Sequence, residues 1–119
     1  MKPKDIVLDF YKSDVLLDKD KVSELLHPQL ILDWNTSKGF IEMNYDDFLS
    51  LTDQLAKSYV RSKIRISHIV AEDNTVALRY AHYVKTIENP REEMLLAHFM
   101  VVWELKANKL YRGYQMSQL

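Results

Sequence analysis

His68, Tyr80 and His82 have the types and spacing to form an inward-facing polar cluster. His68 runs in phase with Ile64 and Ile66, and His82 with Val76, Leu78 and Tyr80, so alternation in two strands aims all three at one apolar face. A buried imidazole or phenol without a partner costs roughly 1 to 3 kcal/mol. Such groups therefore bond to each other, to water or to a ligand. Histidine can also serve as a general base near neutral pH, with Tyr80 as a hydrogen-bond donor. The plainer reading makes the three satisfied core or interface residues.

His98 is the alternative partner for His82. A regular hairpin about Asn89 to Arg91 sets the two imidazoles opposite one another on one face, and a shift of one residue separates them. As zinc ligands they need a third, which no helical His-x-x-x-His or nearby carboxylate spacing supplies, so no metal is expected. No cofactor is implied either. Trp34, Trp103, Tyr114 and Met116 are the candidate ligand-binding residues, able to grip a planar or apolar molecule by area and stacking. For any one of them, core packing or a subunit interface is the favoured reading. Arg79 and Arg112 interrupt apolar faces and can anchor a carboxylate or pair with a glutamate such as Glu104.

These residues sit in a chain of 119 residues, 47% hydrophobic and 28% charged, with a formal net charge of -1. One domain spanning 1-119 is expected, soluble and ordered. The near-neutral balance provides no field for polyanions or anionic membranes, so neither nucleic acid nor membrane is an expected partner. Lys57, Arg61, Lys63 and Arg65 cluster locally, as suits a solvated helix end leading into an exposed strand edge. The opening residues lead into an amphipathic helix without the apolar run of a secretory signal, and the chain has no cysteine. A cytoplasmic location is expected.

The second half must position the cluster, with strands over Thr75 to Thr86, Met94 to Lys106 and Lys109 to Ser117. The middle strand is apolar on both sides. Leu95, Ala97, Phe99, Val101, Trp103 and Leu105 alternate with Met94, Leu96, His98, Met100 and Val102, so each sheet face needs a cover. Helices of the same chain can take one face and a second copy the other. Ile6, Val7, Phe10 and Tyr11 mark a first helix after Pro3, and Asp18 caps a second that ends at His27-Pro28. Leu30, Leu32 and Trp34 share the inner side of a short strand, followed by a turn at Ser37-Lys38-Gly39. Asn44 caps the principal helix, whose buried stripe is Phe48, Leu51, Leu55 and Tyr59. The order is helix, helix, strand, helix, then four strands.

That order, the run Val102-Trp103-Glu104-Leu105-Lys106-Ala107-Asn108-Lys109-Leu110-Tyr111-Arg112, His27-Pro28 leading toward Trp34, and Asn74-Thr75-Val76-Ala77-Leu78-Arg79-Tyr80 together resemble the nuclear transport factor 2-like superfamily, especially its SnoaL-like branch. The resemblance implies an α+β cone: a curved, mainly antiparallel sheet wrapped around three helices, with a pocket at its open end. It also implies a homodimer through the outer sheet face. Members include isomerases, cyclases, dehydratases and catalytically silent binders, so the fold leaves the activity open.

The departures from the family pattern narrow the chemistry. In ketosteroid isomerase-like enzymes a carboxylate base falls near Trp34, a second acid near Val101 and a tyrosine near Phe10 or Tyr11. The two acidic positions are apolar in this chain. Asp33 adjoins the base position, but alternation turns it to the opposite face unless a bulge intervenes. SnoaL-like cyclases carry an aspartate near the end of the last strand, where this chain reads Tyr114-Gln115-Met116-Ser117. The expected function is binding of a small hydrophobic ligand in an apolar, aromatic pocket. One alternative is a lyase or isomerase acting on a hydrophobic carbonyl compound, with a histidine base. The other is a protein-interaction module whose cone is plugged by side chains.

Overall fold

The computed structural model describes residues 2–119. Pro3 opens helix α1 (Pro3–Phe10), where its fixed φ suits the first turn and its missing N–H costs nothing. Ile6, Val7 and Phe10 bury one side of that helix. A 3-10 turn (Val15–Leu17) leads to α2 (Lys19–Leu25), capped as expected by Asp18, whose carboxylate accepts from the Lys21 amide at 3.3 Å. The chain enters strand β1 (Leu26–Thr36) at once, so His27-Pro28 lies inside the strand and not at the helix end.

Gly39, with φ of +131°, turns β1 into β2 (Gly39–Asn44), a strand absent from the order that the sequence pattern predicts. Only one of its six residues is even partly buried, so it carries almost no apolar alternation to read. Asn44 and Asp47 then exchange side-chain and backbone hydrogen bonds in a capping box that starts α3 (Tyr45–Ser58). The last four strands are β3 (Tyr59–Glu72), β4 (Thr75–Thr86), β5 (Met94–Lys106) and β6 (Lys109–Gln118). Ala107 and Asn108, both at positive φ, make the two-residue turn whose twist matches the final hairpin.

The six strands run in the order β2-β1-β6-β5-β4-β3. β1 and β6 are parallel and the other neighbours antiparallel, so the sheet is mixed, curved and unclosed. Register shifts interrupt four of its five ladders, and such bulges bend a strand and reverse which residues face inward. The three helices fill the concave side. There, Phe10, Val22, Leu26, Leu32, Val76, Trp103 and Leu110 are almost entirely buried.

Gly113 permits a close approach of strand and indole in this core. A Cβ at that position would lie 2.6 Å from Trp103 Cζ3 and 2.7 Å from Leu32 Cδ1, so the strand can approach the indole only without a side chain. On the far edge, Arg61 and Arg65 of β3 pair with Asp14 and Glu93. Basic side chains on an edge strand discourage further strand addition.

Candidate functional site

The concave face encloses a cavity of about 80 Å³ between α1, α3 and the sheet. Phe10, Tyr11, Phe48, Tyr80, Phe99 and Trp103 supply the buried aromatic part of its wall. Tyr80 and Phe99 are stacked with centroids 4.9 Å apart, and Tyr11 packs against Tyr80 at 4.8 Å. Among the lining residues, Trp34, Leu51, Leu55 and Leu96 keep partial exposure, so the cavity opens between α3 and the strand ends that carry Trp34 and Leu96.

Four polar side chains line this space: Tyr11, Tyr80, His82 and Gln115. The Trp103 indole donates to the Tyr11 hydroxyl at 2.9 Å, which ties the Tyr11 ring in place beside Tyr80. Burial pushes the Tyr11 phenol up to about 12 and that of Tyr80 well above its ordinary value, so both stay neutral. Burial also lowers His82 from 6.5 to about 4, leaving the imidazole uncharged at neutral pH. His82 is 4% exposed, and its Nε2 lies 2.7 Å from the hydroxyl of Ser62, itself 2% exposed. The Ser62 backbone is fixed from behind, its amide donating to the Asp14 carboxylate and its carbonyl accepting from the Asp14 amide.

Tyr80 and His82 thus meet in the cavity, but His68 does not join them. Ser67 is an extra residue between the pairs Ile66–Tyr80 and His68–Arg79, and this bulge reverses the strand's phase. Ile69 takes the inner side in place of His68 and Val70, and His68 is exposed, bonded to the Ser67 hydroxyl. His98 is also outside, opposite Ala81, so it does not share a face with His82. Among the described residues no three histidine, cysteine or carboxylate side chains form a metal-binding group.

Of the four expected ligand-binding side chains, Trp34 and Trp103 line the cavity. Tyr114 and Met116, 47% and 64% exposed, lie on the outer face instead. The reason is Gly113: its approach to Trp103 fixes the inner side of β6, which makes Gln115 and Ser117 inward and their neighbours outward. Gln115, buried to 7% exposure, was missed, although the mid-strand glycine two residues before it is the signal that gives its direction. Ser62 was missed because a serine carries no apolar signal of its own, although it lies in phase with Ile64 and Ile66.

No protein-family model and no curated protein sequence matches the chain. Solved structures do. IdmH from Streptomyces antibioticus, a candidate polyketide cyclase, superposes with a TM-score of 0.76 at 12% identity, over 98% of this chain and 92% of its own. A candidate SnoaL-like polyketide cyclase from Jannaschia gives 0.71 at 10% identity, over 97% and 84%. An NTF2-like protein of unknown function from Cytophaga hutchinsonii gives 0.67 at 15% identity, over 98% and 90%. Near-complete coverage in both directions at such low identity is likeness of architecture, and the chain has the nuclear transport factor 2-like fold in the form seen in SnoaL-like proteins.

Proposed function

We propose that this chain is a small-molecule-binding protein that takes an uncharged, largely apolar ligand through the opening beside Leu51 and Leu55. The observation that carries this reading is the aromatic cavity itself, into which Tyr80, His82 and Gln115 project as neutral groups. A carboxylate or ammonium ligand would be desolvated there without a counter-charge. At about 80 Å³ the cavity is smaller than the roughly 150 Å³ known to hold benzene. Larger molecules enter only when Leu51 and Leu55 move aside.

The test is a titration with 2-butanone and its hydrocarbon isostere 2-methyl-1-butene, followed through the indole N–H signals of Trp34 and Trp103 and the Gln115 amide. Both probes should shift these signals, and Leu51→Trp, which fills the opening, should abolish the response. Unchanged signals up to the solubility of each probe would refute the reading.

The proposal has residues 1-119 working as one domain in the cytoplasm, in line with a cysteine-free composition. It also has a second copy covering the outer sheet face. Met100 pairs with Met116 and Val102 with Tyr114 across β5 and β6, and all four are exposed. Asp33 and Glu104 lie on the same side as Arg79 and Arg112, so a two-fold related copy meets opposite charge around an apolar centre.

A further inference from the structure

The polar end of the cavity has a direction that the lining residues alone do not reveal. His82 Nε2 is engaged by Ser62, at 2.7 Å, and Nδ1 has no hydrogen-bond partner among the described residues. Thr52 Oγ1 is the one fully enclosed side-chain polar atom among them without a partner, so Nδ1 borders open space. The space that His82 lines is the cavity.

Two proton placements are possible for this neutral ring. If Nε2 carries the hydrogen and donates to Ser62, the serine's own O–H is left without an acceptor in a site that is 2% exposed. If Ser62 donates to Nε2, that buried hydrogen is satisfied and the ring hydrogen sits on Nδ1, where the cavity can supply its partner. The second arrangement leaves no sealed donor unmet. Ser62 is well placed to impose it, because Asp14 holds both its amide and its carbonyl.

We infer that Ser62 fixes His82 as the Nδ1–H tautomer, so that the cavity presents a hydrogen-bond donor and selects neutral ligands bearing an acceptor, such as ketones and ethers. Gln115 does not set this polarity. Its amide, also unpartnered among the described residues and facing the cavity, turns to offer either its carbonyl or its NH₂. Ser62 is a positioning residue in this scheme, acting on the ligand only through the ring.

The choice of ligand class rests on the binding reading above, whereas the tautomer is a property of the free protein. Long-range 1H–15N correlation spectra of the unliganded protein should show His82 with Nδ1 protonated and Nε2 unprotonated. Ser62→Ala lets the proton redistribute, so the Nδ1–H population should fall. In the binding arm, 2-butanone should bind about fivefold more tightly than 2-methyl-1-butene, as one net hydrogen bond warrants. His82→Phe should erase that ratio while the hydrocarbon still binds.

An Nε2–H ring in the free wild-type protein overturns this inference and leaves the binding reading standing. An unchanged Nδ1–H population in Ser62→Ala removes Ser62 from the scheme. Equal affinity for the two probes overturns the acceptor class. Failure of both probes to bind overturns that class together with the reading it rests on.

Discussion

Lowering the pH from 7 should weaken the fold through His82 before general acid denaturation begins. Burial lowers the folded-state value of this imidazole from 6.5 to about 4, whereas the unfolded chain takes up the proton near 6.5. Between those limits the unfolded state binds more protons, so stability falls as pH falls. Above about pH 7 both states are neutral and the contribution is complete. At roughly 1.4 kcal/mol per pH unit, the window corresponds to about 3 kcal/mol when fully traversed. For a urea slope of about 1.5 kcal/mol per molar, the denaturation midpoint drops by about 2 M.

The assay is urea denaturation of the wild type and His82→Phe at half-unit steps from pH 7.5 to 4. Groups other than His82 act on both proteins, so the difference between the two curves isolates the imidazole. That difference should be flat above pH 7 and change by about 3 kcal/mol toward pH 4. Parallel curves would refute the argument. So would an NMR titration placing the His82 midpoint near 6.5, since the ring would then be hydrated and not enclosed.

Two further substitutions probe the core and the outer face. Gly113→Ala should cost about 1 to 3 kcal/mol, because its new methyl must displace Trp103 and Leu32 from contacts of 2.6 and 2.7 Å; an unchanged thermal midpoint would show that the strand and indole are not in close contact. Val102→Glu should convert a dimer into monomer without shifting the Trp34 or Trp103 signals, and native mass measurements that find wild-type protein monomeric at all concentrations would dismiss the proposed interface.

Where an element advertises itself by end signals, the sequence was read correctly. Asp18 and Asn44 cap the helices they were expected to cap, and Ala107-Asn108 turns the last hairpin. β4 and β5 occupy the residues expected of them: β5, apolar on both sides, has to be an interior strand, and β4 announces its inner side by the alternation of Val76, Leu78, Tyr80 and His82. β2 escaped because an exposed edge strand has no core face to impose alternation. The boundary at His27-Pro28 escaped for a different reason: proline's incompatibility with a helix interior does not reveal whether the helix stopped before it.

The site was harder to read than the fold because alternation gives phase only between bulges. Tyr80 and His82 lie on an uninterrupted stretch of β4 with Val76 and Leu78, and all four point inward as counted. The count through Ile64 and Ile66 fails one residue before His68, at Ser67, a residue with nothing in its type to announce an insertion. On β6 the opposite holds. Gly113 sits mid-strand where glycine is unfavourable, and the reason, a backbone pressed against Trp103, orients the whole segment. Counting outward from that glycine would have rejected Tyr114 and Met116 and found Gln115. A side chain that cannot be replaced is therefore a better phase marker than a run of apolar ones, since it reports a contact and not merely a preference.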